Sequence, residues 1–258
     1  MPLHSSKRHK ERVLTFGASG TGKTRSWLSI ADMVYKTKGA QKFYVIDTDN
    51  AVETMLEEGF PHLLESGIIN WKLAFSWEDW TEATKEYGAL IKEDDWFVTD
   101  MIAPGWDFVQ DWFSRQVFKK GLEDLLIQGR LGLTKGERFD GWRDWPTINA
   151  QWRSFAVRFL TEEAAKKRFN LFCTSGVAPI GDNDDKIIKA TFGPHGVKPK
   201  GQKDLPHLFN SCFLLTAKRP GEHYITTCKD RERDSITQAP LGSFVTDYLV
   251  KVAGWRLA

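Results

Sequence analysis

The stretch that most constrains this chain is "GASGTGKT", residues 17–24, set between an apolar run, "RVLTF", and a helix-forming run, "KTRSWLSIADMVYK". Gly17, four residues, then Gly22, Lys23 and Thr24 is the Walker A spacing. Glycines at Gly17, Gly20 and Gly22 allow positive φ and close backbone approach, so successive N–H groups of Ala18, Ser19, Thr21 and their neighbours can surround phosphate oxygens. Lys23 supplies a point charge for the β- and γ-phosphates and the Thr24 hydroxyl is a ligand for Mg²⁺. The helix starting near Lys23, with Trp27, Ile30, Ala31 and Val34 on its apolar face, adds its positive end to the same anion. A nucleoside triphosphate, ATP with Mg²⁺, is the expected ligand.

A phosphate loop needs carboxylates for the magnesium shell and for water activation. "DWFVTD" delivers Asp100 at the end of an apolar strand, the form of a Walker B segment, and is expected beside Thr24. "FYVIDTDN" delivers Asp47 and Asp49, two positions apart and so on one side of an extended segment. One of them is expected to orient water while the other, Asp47, supports the metal shell. A competing account makes this segment, Asn50 above all, the cap of the next helix.

Further along, "PGWDFVQDWFSRQVF" reads as a helix, 119–147 as an inserted loop or helical hairpin, and "TINAQWRSFAVRFLTEEAAKK" as an amphipathic helix with Trp152, Phe155, Ala156 and Phe159 on its core face. "FNLFCTSG" is a buried strand. The next segment, to residue 206, is rich in Gly, Pro and Lys and shows no helical period. Its lysines, Lys186, Lys189, Lys198, Lys200 and Lys203, with Phe192 and His195, suit either a solvated tip or a basic loop tracking a nucleic-acid backbone. "SCFLLTAKR" and "HYITTCKDRER" read as a hairpin.

On "GASGTGKT", "FYVIDTD", "VKPKGQKDLPHLFNSCFLL" and "YITTCKDRER" the chain resembles RecA-like P-loop ATPases, and among them the compact phage Sak-type group associated with single-strand annealing and recombination. The resemblance covers about residues 11–250 and leaves 119–147 unmatched. It implies an α/β fold with a largely parallel central sheet flanked by helices and antiparallel strands near the C-terminus. It also implies Asp49 as the water-activating base, where the family uses the longer glutamate. That difference leaves Glu53 open as the base, or slow turnover. By the same likeness Ser175 senses the γ-phosphate, Lys229 and Arg231 act on the nucleotide of a neighbouring subunit, and the five lysines contact single-stranded DNA. A homo-oligomer, ring or filament, is implied, with a single-strand DNA-binding protein as a possible associate.

Composition sets outer limits. With 258 residues, 41% of them hydrophobic, one large α/β domain with a genuine core is expected, over 12–258, preceded by a basic arm at 1–11. A net charge of +2 gives no global field for an acidic partner. Cys173, Cys212 and Cys228 form no C-x-x-C pair, which suits a reducing compartment, the bacterial-host cytoplasm for a phage protein, rather than zinc. No apolar stretch reaches bilayer-spanning length and the N-terminus has no secretory apolar region, so no membrane association is expected. The expected activity is magnesium-dependent ATP hydrolysis on single-stranded DNA. The rivals are a P-loop kinase with 119–147 as its lid, and a slow nucleotide switch or DNA-packaging component.

Overall fold

A computed structural model describes residues 3–5, 10–132, 139–156, 158–231 and 233–257, and the account below concerns these. In chain order the strands are β1 (Leu3–Ser5), β2 (Arg12–Phe16), β3 (Phe43–Asp47), β4 (Ile69–Leu73), β5 (Trp96–Asp100), β6 (Asn170–Ser175), β7 (Val177–Pro179), β8 (Val197–Pro199), β9 (Ser211–Arg219), β10 (Glu222–Asp230), β11 (Ala239–Pro240) and β12 (Trp255–Leu257). The helices are α1 (Lys23–Lys36), α2 (Val52–Gly59), α3 (Pro61–Ser66), α4 (Trp77–Leu90), α5 (Ala103–Phe118), α6 (Leu122–Arg130), α7 (Gly141–Ala156), α8 (Ala164–Lys167) and α9 (Lys186–Phe192).

The central sheet has eight strands in the order β11-β10-β9-β2-β6-β5-β3-β4. β4, β3, β5, β6, β2 and β9 are parallel; β10 turns back on β9 and β11 pairs antiparallel with β10. The inner strands are apolar on both faces because helices cover both. Val13, Val45, Val98 and Phe172 face a cluster with α1, α2 and α3, whereas Leu14, Ile46, Phe97 and Cys173 face one with α4, α5 and α7. This alternation assigns every residue at a strand end to one face or the other. Trp27, Ile30, Ala31 and Val34 are fully buried, as the helical period of α1 requires. The edge strand β4, "INWKL", was not singled out in the sequence; its burial is partial and it lacks a clear period.

The region at 119–147 contributes α6 and the start of α7, in keeping with a helical pair, and residues 133–138 lie outside the description. α7 starts earlier than its sequence pattern suggests, at Gly141, and is followed by a π-helical segment, Arg158–Glu163, before α8. The wider turn places Phe159 and Leu160 both in the core, with Phe159 against Phe97 at 4.7 Å between ring centroids. Trp152 and Phe155 are buried as expected, and the side chain of Ala156 lies outside the description. Most tryptophans are buried or half-buried, but Trp142 is 94% exposed and Trp145 is also exposed.

Two expectations change here. The segment after β6 is regular rather than irregular: β7 and β8 pair antiparallel, and between them α9 is capped by the Asp185 carboxylate, which accepts the Ile188 N–H at 2.8 Å. Local capping and the burial of Ile188 and Phe192 decide this, on too few residues to leave a visible period. The N-terminal arm is also tied down where it is described. β1 pairs with β12, Lys10 bridges to Asp94, and Glu11 is buried. Glu11 accepts both Arg233 Nη1 and Nη2 at 2.8 Å and Trp255 Nε1 at 2.9 Å, fastening the start of β2 to the C-terminal region. The cysteines are free, in β6, β9 and β10, with burial pushing each thiol up to about 12. Among the described residues no helix is long and apolar enough to cross a membrane.

Removing one partner of a buried ion pair leaves a charge stranded. Glu11→Ala should therefore cost about 3–5 kcal/mol in denaturant unfolding, whereas Lys251→Ala, which breaks an exposed Lys251–Asp247 pair, should barely move the midpoint.

Candidate nucleotide site

The chain leaves β2 at Phe16 and turns at once into the glycine loop, beside a change of direction in strand order where ligands settle in such sheets. Gly17 is held against β9 and its own loop: a Cβ there would lie 2.4 Å from the Leu215 carbonyl oxygen and 2.6 Å from Thr21 Oγ1. Gly22 begins α1 with φ 89° and ψ 19°, a left-handed conformation that glycine adopts without strain. The Thr21 hydroxyl donates to the Ala18 carbonyl at 2.9 Å, and Lys23 Nζ donates to the Gly17 and Ala18 carbonyls at 3.1 and 2.8 Å, folding the lysine over the loop. Ala18, Ser19 and Gly20 stay exposed at its crest. Partial burial holds the Lys23 ammonium below its usual pKa, opposed by the negative charges of Asp100 and then Asp49. Both carboxylates thus act on the lysine that the loop presents.

Asp100 is completely buried. Its Oδ1 accepts the Thr174 hydroxyl at 2.6 Å, its Oδ2 accepts Trp27 Nε1 at 3.0 Å, and Thr24 adds a third side-chain hydrogen bond. Burial raises the Asp100 pKa, and these three donors oppose the rise. Thr174 in turn accepts the Met101 N–H at 2.7 Å, so the strand end is fixed from both sides.

Asp47 also ends its strand on this face, in register with Asp100. Its carboxylate is engaged otherwise than expected. Oδ1 accepts the Asp49 N–H at 3.2 Å and Oδ2 accepts the Val52 N–H at 3.1 Å. Asp47 is therefore a backbone clamp that shapes the turn and starts α2, a role assigned in the sequence to Asn50. Asn50 instead takes the left-handed bend, with φ 56°, and caps nothing. The clamp aims Asp49 at the loop. Asp49 is open to solvent on its outer side, yet its carboxyl is pushed up to about 7, first by desolvation and then by Asp100 and Asp47. Glu53, the other candidate base, is exposed on the first turn of α2 and is not among the charges that act on Lys23.

Ser175 falls on the wrong face for a phosphate sensor. One residue along a strand reverses the side chain; Thr174 shares the α1 face with Asp100, whereas the Ser175 hydroxyl donates to the Lys200 carbonyl at 2.6 Å and anchors the start and end of the β7–α9–β8 excursion. Phe192 is buried and packs edge-on against Phe16 at 5.7 Å, so it has no face to offer a base. The five lysines do not form one stripe. Lys198 pairs with Asp184 and Lys189 donates to the Asp182 carbonyl, whereas Lys186, Lys200 and Lys203 are exposed. Lys229 is turned inward and donates to the Pro206 and Phe209 carbonyls, both at 2.8 Å, so its ammonium is engaged within its own chain. Arg231 is exposed, at the end of the sheet away from the glycine loop.

Three contributors were not singled out for the site in the sequence. The hydroxyl of Thr174 was legible from strand alternation counted on by two from Phe172. The indole N–H of Trp27 was read as core alone, which by burial it also is. His223 was hidden by its distance in sequence: its ring lies 3.5 Å from where a Gly22 Cβ would stand, and its Nδ1 is buried without a hydrogen bond. Beside it a cavity of about 140 Å³, lined by Gly22, Arg25, Ser26, Ser29, His223 and Ser243, adjoins the loop.

The donor set suits magnesium. Thr24 and Asp100 are hard oxygen donors at the mouth of the loop, and magnesium at such sites takes one or two protein ligands with phosphate oxygens and waters. Among the described residues no group of three or more His, Cys, Asp or Glu side chains is disposed to hold a metal unaided. Neither the models of known protein families nor the curated proteins include a match to this sequence.

Two outcomes follow from this geometry. Thr174→Val removes a donor to Asp100 without changing shape. It should lower any magnesium-dependent turnover about 10–100-fold and, by leaving the buried Asp100 and the Met101 N–H each short of a partner, cost about 1–3 kcal/mol in denaturant unfolding. Gly17→Ala drives a methyl into the Leu215 carbonyl and should abolish nucleotide binding in a titration with a fluorescent ATP analogue.

Proposed function

We propose that this chain is a magnesium-dependent ATP hydrolase of the RecA-like kind, acting as a homo-oligomer on single-stranded DNA. The observation that carries the hydrolase reading is the placement of Lys23 between two carboxylates of different character. Asp100 is buried and fixed by Thr24, Thr174 and Trp27; Asp49 is accessible and has a raised pKa. One suits a metal shell and the other a base.

In this reading the loop amides and Lys23 bind the triphosphate, and the cavity beside His223 and Arg25 takes the nucleoside. Thr24 and Asp100 would hold magnesium, which when bound neutralises phosphate charge during phosphoryl transfer. Asp49 orients the attacking water and accepts its proton. Asp47 positions Asp49 through the backbone and touches neither water nor metal.

The DNA assignment rests on the resemblance and on one surface. Trp145 stacks on Trp106 at 6.1 Å, and Gln202 approaches Asn149 at 3.5 Å, bringing the exposed start of α7, with Trp142, to the segment that carries Lys200 and Lys203. Exposed indoles and free lysines are what sequence-tolerant binding of single strands uses. Lys229 is not part of the proposed action in trans, because its ammonium is already bonded; Arg231 is retained.

The test is ATP turnover with and without single-stranded DNA. Asp49→Asn should slow hydrolysis about 10²–10⁴-fold while nucleotide binding persists, and Lys23→Ala should abolish binding. In the parent, kcat/KM should fall as pH drops through about 7, where Asp49 gains a proton and ceases to be a base, and Asp49→Asn should lose this limb. Phosphate transfer to an added small-molecule acceptor, with no response to DNA, would replace this reading by a kinase.

A further inference from the structure

The first residue of β2 opens on a second site, at the opposite end of the strand from the glycine loop. Arg12 lies on the same face of the sheet as Leu14 and Phe16, away from α1, and about four residue steps, roughly 13 Å at 3.3 Å each, separate it from Phe16. Arg12 borders a cavity of about 280 Å³ whose other walls are Lys10, Ala164, Ala165, Arg168, Phe169 and Asn210. Nε and Nη2 of Arg12 are buried and make no hydrogen bond, which is costly for charged donors. Among the described residues no carboxylate acts on this guanidinium. Lys10 is bridged to Glu93 and Asp94 and Arg168 to Glu93, so these two cations are balanced outside the cavity, whereas among the described residues Arg12 has beside it the like charges of Arg231 and Lys229 and the Cys173 thiol. Burial, and after it Arg231, lowers the Arg12 pKa, the direction expected where a cation lacks its counter-charge.

We propose that the cavity lined by Arg12, Lys10, Arg168 and Asn210 binds a phosphate oxyanion, which would supply the counter-charge that the buried Arg12 guanidinium lacks. The cavity has room for such a group with water, each water occupying about 30 Å³. Nothing in this site depends on the glycine loop, so it stands whether or not the chain hydrolyses ATP. The phosphate has two possible sources, the free ion and the backbone of a single-stranded nucleic acid, and the chemistry at Arg12 is the same for both.

The experiment uses the full chain carrying Lys23→Ala, so that phosphate binding at the glycine loop does not contribute. Inorganic phosphate is titrated calorimetrically, and a labelled oligothymidylate is titrated by fluorescence anisotropy at several salt concentrations. At least one of these probes should bind, and Arg12→Met should weaken it tenfold or more. Asn210→Asp, which adds a negative charge at nearly constant size, should do the same and serves where Arg12→Met fails to fold. Loss confined to phosphate identifies the free ion. Loss of oligonucleotide affinity together with a salt slope reduced by about one identifies the nucleic-acid backbone. If neither probe binds, or if both Arg12→Met and Asn210→Asp bind as the parent does, the proposal is wrong.

Discussion

A carboxylate with no access to water sits at the end of β5, and the candidate site is arranged around it. Asp100 carries its charge in a place where charge is costly, and three donors offset that cost: Thr24 and Trp27 on α1, and Thr174 on the neighbouring strand. These bonds do more than satisfy Asp100. They fix the start of α1 against the sheet, and the start of α1 carries Lys23 and Thr24. A helix seated only by apolar packing has freedom to slide; one that donates an indole N–H and a hydroxyl to a single buried carboxylate does not.

The same economy recurs at the next strand. Asp47 spends both oxygens on backbone N–H groups, which closes a turn that would otherwise leave donors unpaired and presents Asp49 outward toward Lys23. Two aspartates, two residues apart, thus acquire opposite roles. One is a structural clamp, with each of its oxygens engaged by a backbone N–H. The other is open to solvent on one side, with a pKa raised first by partial desolvation and then by two neighbouring carboxylates.

Strand alternation explains both successes and failures in assigning side chains to the site. Asp47, Asp100 and Thr174 face α1, so their residues converge; Ser175, one step later, belongs to the other face and bonds the Lys200 carbonyl. The burial of Phe192 and the internal bonds of Lys229 are of another kind. Each is a long-range contact, with Phe16 and with the Pro206 and Phe209 carbonyls, that no local pattern announces. A basic or aromatic residue in a glycine-rich stretch reads as surface until something is found to pack on it.

By itself, then, the sequence determined the glycine loop, the apolar strands that end in Asp47 and Asp100, the buried face of α1 and the C-terminal hairpin, because each is written in spacing and period over a few consecutive residues. Only the tertiary structure decided which of two aspartates is turned to Lys23, that Thr174 rather than Ser175 meets Asp100, that His223 borders Gly22, and that Nε and Nη2 of Arg12 find no hydrogen bond among the described residues. Those facts depend on which atoms arrive from elsewhere in the chain to take up a donor or a lone pair, and hydrogen-bond satisfaction across strands has no signature in local sequence.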